Sequence, residues 1–298
     1  MFAEERQQKI AELVASSGRV SVTVLAERFR ITTETVRRDL ATLETAGTVR
    51  RVHGGAVAAD RFSTTEESIN ERTIQRPDQK LRIAQAALAL IPQSKSGSIL
   101  LDAGSTTEAL ADLLSRRAAV APFAAVAPFG AASPDAVPSG APNATAAHSP
   151  ASHPNSGTSP ELVVITHAVP IAAKLASAPG IALQILGGRV RGLTQAAVGQ
   201  ATVESAQRMR PDIAFIGTNG IHASFGLSTP DPEEAAVKAA FVHSARRIVV
   251  LADSSKLDAE TLVQFASLKD LDTLITDSEP SPELTAALAD AGVDVVIA

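Results

Sequence analysis

Apolar positions at the start of the chain fall at helical spacing. Ile10, Leu13 and Val14 share one face of a helix predicted over residues 4–17, and Gly18 supplies a stop. Ser21 is placed to cap a second short helix that buries Leu25, Ala26 and Phe29. Thr32 or Thr33 caps a third, running to about Ala46 and stopped by Gly47, with Val36, Leu40 and Leu43 as its inward stripe. Val49-Arg50-Arg51-Val52 then alternates as a strand does, and His53 to Val57 turns and returns. Three helices followed by a small hairpin predict a winged helix-turn-helix over residues 1–57.

Residues 58–76 are polar and mixed and read as a hinge. From 79 onward short apolar runs alternate with helical ones. The apolar runs are Ile99 to Leu101, Leu162 to Ile165, Ala182 to Leu186, Ile213 to Ile216, Ile248 to Leu251, Thr273 to Ile275 and Val293 to Ile297. Helical stretches lie between them, for example at 79–91, 106–115, 199–208 and 232–245. Near-continuous apolar strands alternating with helices imply a mostly parallel sheet covered on both faces, so residues 77–298 read as an α/β domain. One segment breaks the scheme. Residues 118–160 hold 14 Ala, 8 Pro, 6 Ser and 3 Gly, with Asp135 as the single charge. So many prolines among small residues cannot hold a helix or bury a core, so a disordered surface insertion is expected, with a proline-rich partner-binding arm as the other reading.

A length of 298 residues suits two domains. With nine Phe and neither Trp nor Tyr, core volume must come from Leu, Ile, Val and Ala. The absence of Cys excludes disulfides, thiolate metal sites and a Cys nucleophile. Glu4, Glu5, Arg6 and Lys9 open the chain without a signal-peptide pattern, and no apolar run approaches ~20 residues, so a cytoplasmic protein without a membrane span is expected. The net charge of −5 argues against nucleic acid until its distribution is considered. Residues 28–51 carry six Arg against Glu34, Asp39 and Glu44, which makes that segment +3 and the remainder −8. A basic island on an acidic chain is either a footprint for phosphates or an ordinary solvated face.

The third helix resolves this toward DNA. Its outer face offers Thr33, Glu34, Arg37 and Arg38, then the small residues Ala41 and Thr42 that let a helix sit deep in a major groove. Arginine bonds guanine bidentately or clamps a phosphate, and Thr33 and Thr35 lie where hydroxyls and N–H groups meet phosphate oxygens. Arg50, Arg51 and His53 on the hairpin reach the adjacent backbone or minor groove. Asp39 reads as a partner that orients one of these arginines. The competing interpretation is a three-helix protein–protein module.

In the α/β region, Asp102-Ala103-Gly104-Ser105-Thr106-Thr107 follows a strand and opens a helix, an arrangement that favours phosphate through free N–H groups and hydroxyls. A plain capped helix start has the same appearance. The loop is not a P-loop, and the chain has no Gly-x-Gly-x-x-Gly. Thr166-His167, Gly187-Gly188-Arg189, Gly217-Thr218-Asn219-Gly220 and Asp253 fall at the predicted carboxyl ends of strands, with Lys238 and Lys256 nearby, where open α/β sheets bind ligands. The candidate ligand set is therefore Asp102, Gly104, Ser105, Thr106, Thr107, Thr166, His167, Gly188, Arg189, Asn219, Gly220, Lys238 and Lys256. No catalytic residue, metal or cofactor is expected.

Residues 6–57 resemble the N-terminal domain of the DeoR family of bacterial transcriptional regulators. The resemblance lies in Arg6…Ile10, Val22 to Phe29, Thr35-Val36-Arg37-Arg38-Asp39-Leu40, Leu43-Glu44, Gly47 and Arg51-Val52-His53-Gly54-Gly55-Ala56. It extends over residues 64–298 apart from the insertion, through Lys80…Ile83-Ala84, the 102–107 loop, Gly187-Gly188, Gly217 to Gly220, Gly226 to Thr229, Glu234…Lys238 and Asp253 to Lys256. It implies a Rossmann-like, sugar-phosphate isomerase-like sensor domain whose 102–107 loop holds phosphate. It also implies a repressor of sugar-metabolism genes that binds double-stranded operator DNA as a homodimer or higher oligomer and answers to a phosphorylated sugar. The stretch Gly217 to Asp231 looks most like regulators of sugar uptake, which points to fructose 1-phosphate. His167 departs from the family, which commonly has Asn there. The rival is an active isomerase or deaminase with an attached DNA-binding domain. Asn219 stands where such enzymes typically hold an Asp base, which favours binding without turnover, while Asp231, Glu233 and Glu234 remain candidate bases.

Overall fold

The computed structural model describes residues 3–17, 19–46, 48–52, 54–58, 66–91, 97–120 and 162–298. Helix α1 (Ala3–Ser17), strand β1 (Arg19–Ser21), helices α2 (Val22–Phe29) and α3 (Thr33–Thr45) and strands β2 (Val49–Val52) and β3 (Gly55–Ala58) form the first unit. Its sheet has the order β1-β3-β2 and is antiparallel throughout. The caps are those that the sequence predicts. The Ser21 hydroxyl accepts from Val24 N–H at 3.2 Å, and Thr32 Oγ1 accepts from Thr35 N–H at 3.2 Å. The stripe Val36, Leu40 and Leu43 packs on Ile10, Val14, Leu25 and Val49, all buried. The stops assigned to Gly18 and Gly47, and the turn residue His53, lie outside the described residues.

The second unit comprises α4 (Ile69–Ile74), α5 (Pro77–Leu90), β4 (Gly97–Leu101), α6 (Ser105–Val120), β5 (Leu162–Thr166), α7 (Val169–Leu175), β6 (Ile181–Ile185), β7 (Arg189–Arg191), β8 (Ala196–Val198), α8 (Gln200–Gln207), β9 (Ile213–Gly217), β10 (Gly220–His222), β11 (Gly226–Thr229), α9 (Pro232–Ser244), β12 (Ile248–Leu251), β13 (Val263–Ala266), β14 (Thr273–Thr276), α10 (Pro282–Ala291) and β15 (Asp294–Ile297). All seven apolar runs lie in one sheet, ordered β15-β14-β12-β9-β4-β5-β6 and parallel at every pairing. Counted along the chain that order is 3-2-1-4-5-6-7, the doubly wound arrangement. Two apolar clusters cover its two faces, one around Phe241, Val250 and Leu274, the other around Ile83, Leu101, Leu110 and Phe215. The sheet order reverses between β4 and β9, and ligand crevices form at such a point beyond the carboxyl ends of the strands.

Two sequence expectations need correction. Part of the stretch read as hinge, from 69 to 76, is built into the α/β unit. Ser68 and Glu71 form a capping box on α4, and the Ile69 N–H donates to Leu193 C=O at 2.8 Å. Only Ile69 of this helix is buried, so its pattern is too polar to stand out in the sequence. Helix α6 continues through Val120, so the first three residues of the alanine- and proline-rich run are helical. The rest of that run lies outside the described residues.

Candidate functional site

Helix α3 buries one stripe and leaves Thr33, Glu34, Arg37, Arg38 and Thr42 exposed on the opposite side. Arg37 lies 3.6 Å from Glu34 one turn back, with both side chains more than half exposed. Such a pair is weak in water and yields readily to a phosphate or a base edge. Thr35 is half-buried, its hydroxyl 2.9 Å from that of Thr32 at the helix cap. The Arg51 N–H donates to Glu44 at 2.8 Å and fixes the hairpin against α3, leaving the Arg51 side chain exposed. Arg50 pairs with Val57 in the same hairpin. His53 is outside the described residues.

Asp39 does not orient any of these arginines. It is buried and accepts from Arg6 at 2.6 and 3.1 Å and from Gln7 at 2.9 Å, both on α1. Its hydrogen bond and charge hold the Arg6 guanidinium above its ordinary pKa. The residue faces α1, three positions after Val36, and so ties the first helix to the third while Arg37 and Arg38 point outward.

The second site opens where the sheet order reverses. The loop after β4 and the start of α6 supply Ala103 to Thr107, and the turn after β9 supplies Gly217, Thr218 and Asn219. Lys238 enters from α9, Asp253, Ser255 and Lys256 from the end of β12, and Arg72, Gln75, Arg76 and Lys80 from α4 and α5. The first N–H groups of α6 face this cleft without helical partners, as at any helix start. The side chains of Ser105 and Thr106 make no hydrogen bonds among the described residues, whereas Thr107 Oγ1 donates to Gly104 C=O at 2.9 Å.

Asp102 lies beneath the cleft floor with no exposed surface. Its Oδ2 accepts from Gly217 N–H at 2.9 Å and from the Lys238 ammonium, and its Oδ1 lies 3.1 Å from His167 Nε2. Burial pushes this carboxyl up, but Lys238 and His167 outweigh burial and hold it below the ordinary carboxylate range. His167 is itself buried, with Nδ1 donating to Ala197 C=O at 2.8 Å and Phe241 packed edge-on at 5.0 Å. Thr166 is buried and donates to Leu101 C=O at 2.7 Å. These three residues, expected to touch ligand, instead brace β4, β5 and β9 against one another under the site.

Lys80 is nearly buried, and its ammonium donates to the carbonyls of Arg72 and Gln75. Burial pulls its pKa down to about 8, with Lys256 and Arg72 adding to the effect and Asp253 opposing it. Asp253 is pushed up by burial and, more strongly, down by Lys256, by bonds from Ser255 and by Lys80, so it stays below the ordinary carboxylate range. It accepts from the Ser255 N–H and hydroxyl at 3.0 and 2.6 Å.

Gly104, Ser105, Thr106, Thr107, Asn219, Lys238 and Lys256 of the expected ligand set therefore meet in one cleft. Gly188, Arg189 and Gly220 do not line it. Gly188 packs on Thr202 and Val198 where a Cβ has no room, and Gly220 packs as closely on Ala259. Arg189 is exposed and paired with Glu233. The glycines are there for packing. Arg72, Arg76, Lys80, Asp253 and Ser255 were missing from the expected set. Two signals for them were available: the strand-end position of Asp253 and a buried Lys80 on an otherwise apolar helical face.

Among the described residues, no cluster of three or more His, Asp or Glu is placed to hold a metal, and no helix is long and apolar enough to cross a membrane. Residues 6–62 match the DeoR-like helix-turn-helix domain, and residues 156–278 match the DeoR C-terminal sensor domain. The chain is 29% identical over 296 residues to the HTH-type transcriptional regulator GlpR of Haloferax volcanii, covering 99% of this chain and 98% of that one. It is 25% identical over 290 residues to the glycerol-3-phosphate regulon repressor of Escherichia coli, with 97% of each chain covered. A solved ribose 5-phosphate isomerase A from Methanocaldococcus jannaschii overlays 61% of this chain and 55% of its own with a TM-score of 0.36 at 15% identity, and an overlap of that extent bears on neither activity nor ligand. The paired domains, each matched in its own segment, together with relatives aligned from end to end, place this chain in the DeoR family of transcriptional regulators.

Proposed function

We propose that the chain is a sequence-specific repressor of sugar-metabolism genes whose operator affinity is set by a phosphorylated sugar held in the cleft. The observation that carries this reading is the charge balance of the site. Arg72, Arg76, Lys80, Lys238 and Lys256 converge on it, while Asp102, Glu234 and Asp253 lie in or beneath it. Two positive charges are left over, and a phosphate monoester carries roughly −1.5 to −2 near pH 7. The unpaired N–H groups of α6 and the hydroxyls of Ser105 and Thr106 supply directed donors for the same oxygens. Asn219 lines the rest of the cleft, its Oδ1 held by the Thr229 hydroxyl at 3.0 Å, and its amide NH2 suits a sugar hydroxyl; fructose 1-phosphate is the first candidate. The outer face of α3, with Arg37 and Arg38, and the hairpin carrying Arg50 and Arg51 meet the DNA. Reading a two-fold operator takes at least a dimer.

The test is fluorescence anisotropy of the full chain with a duplex obtained by in-vitro selection, without and with fructose 1-phosphate, glycerol 3-phosphate and their unphosphorylated parents. A phosphorylated compound should shift operator affinity where its parent does not. Indifference to all of them would remove the sensor reading.

A second reading is turnover of the sugar phosphate. The carboxylates argue against it. Asp231 caps α9 by accepting from the N–H groups of Glu233 and Glu234 at 3.0 Å. Glu233 pairs with Arg189, and Glu234 accepts from Arg191 at 2.6 Å and from Thr194. Asp253 is held ionised by its neighbours. A general base needs a carboxylate that is both reachable and inclined to take a proton. Formation of ketose or aldose isomer from ribose 5-phosphate by the purified chain would reinstate the enzyme.

A further inference from the structure

Arg72 has two claims on it. It lines the cleft, and its charge lies close enough to Lys80 to lower that amine's pKa. On its other side it faces Glu66, with the guanidinium nitrogen 3.9 Å from Glu66 Oε1. That separation is an ion pair without a hydrogen bond. Both partners are left short: Glu66 Oε1 and Arg72 Nε are buried with no hydrogen-bond partner among the described residues. The other oxygen of Glu66 accepts from Arg191 at 2.9 Å, and the same Arg191 nitrogen donates at 2.6 Å to Glu234, a wall of the cleft. Two buried carboxylates thus share Arg191, and Arg72 is left loosely held by Glu66.

We propose that an anion in the cleft and Glu66 compete for Arg72, so that filling the cleft loosens the chain segment leading back to the DNA-binding domain. This deepens the anion-cleft reading and rests on it. The position of Glu66 gives the competition its consequence. Strand β3 of the winged helix ends at Ala58, and Glu66, eight positions later, is the first described residue after it and is clamped to the α/β unit by Arg191. A phosphate that draws the Arg72 guanidinium toward the start of α6 leaves Glu66 on Arg191 alone, beside the like charge of Glu234. By linkage, whatever the anion takes from Glu66 the clamp returns as weakened anion binding.

The probe is inorganic phosphate, titrated into the full chain by calorimetry, with amide hydrogen exchange followed over residues 66–75. Glu66→Gln should bind phosphate about 3–10-fold more tightly than the native chain, the range expected for removing one loosely paired ionic competitor. In an Arg72→Gln background, phosphate should bind more weakly and Glu66→Gln should change nothing further. In the native chain, phosphate should speed exchange at 66–68, a readout that needs no variant. Equal affinity of the native and Glu66→Gln chains, a gain that persists without Arg72, or slower exchange at 66–68 would each overturn the competition while leaving the cleft an anion site. If neither form binds phosphate at tens of millimolar, the anion-cleft reading falls and this proposal with it.

Discussion

Replacing Asp102 by Ala should cost stability before it costs ligand affinity. The carboxylate has no exposed surface and holds three groups at once: the Lys238 ammonium, the Gly217 N–H and the His167 ring. Its removal leaves Lys238, 4% exposed, with Gly217 C=O at 3.0 Å as its hydrogen-bond partner. Breaking a buried pair from one side strands a charge and costs about 3–5 kcal/mol. The assay is urea unfolding followed by circular dichroism, with the transition of the α/β unit fitted separately from that of the winged helix. Asp102→Ala/Lys238→Met should recover much of the loss, because an apolar pair no longer buries an unmatched charge. The pH dependence has a defined sign. The folded-state pKa of Asp102 lies below its unfolded value, so the stabilisation is present above about pH 4 and is lost as pH falls through the folded value. A loss under about 1 kcal/mol for the single change, or no recovery in the double, would refute the account of Asp102 as the brace under the cleft.

Arg37→Ala should weaken operator binding by about 1–3 kcal/mol if Arg37 reads a base, with phosphate binding by calorimetry unchanged. Asp39→Ala should lower the melting temperature of the winged-helix transition, since it strips Arg6 and Gln7 of a buried acceptor, a loss of about 1.5–3 kcal/mol; a change confined to DNA affinity would contradict that role. Anion binding should weaken as pH rises. Lys80 in the empty cleft titrates at about 8, the bound anion favours its protonated form, and a phosphate ester is already doubly ionised by then (second pKa about 6), so affinity should drop above pH 8. A flat profile from pH 7 to 10 would take Lys80 out of the site.

The parts of this molecule that the sequence discloses are those where one physical requirement acts alone. The five inner strands of the parallel sheet, β14, β12, β9, β4 and β5, appear as apolar runs because both of their faces are covered, while the edge strands β6 and β15 read the same way although much of their surface is exposed. The caps at Ser21 and Thr32 are equally plain, since few side chains can accept from an unpaired N–H at that spot. The hairpin β7–β8 and the small sheet β10-β11-β13 stay hidden because strands of three or four residues are too short to set a period. Helix α4 stays hidden for a different reason, because it buries one residue and spends its polar ones on the cleft and on Glu66. The glycines mislead in the opposite direction. Gly188 and Gly220 sit beside strand ends as ligand-contacting glycines do, yet neighbouring backbone and side chains fill the space.

The fate of Asp102 and Asp39 shows a common logic in the two functional faces. Asp102 opens the 102–107 loop and Asp39 follows Arg37 and Arg38, and each proves to be buried and bonded inward, to Lys238 and His167 in one case and to Arg6 in the other. A carboxylate exposed beside an anion site would repel the ligand. Turned inward, it instead fixes the elements from which the cations project. Asp102 pins the end of β4 to the end of β9 across the point where the sheet order reverses, and thereby sets the distance between the first turn of α6 and Lys238. Asp39 pins α3 to α1 and thereby sets the angle at which Arg37 and Arg38 leave the domain. On the proposed function, phosphate recognition at both ends of the chain depends on acids that never touch it, and charge-reversing either acid should damage binding through geometry rather than through lost contact.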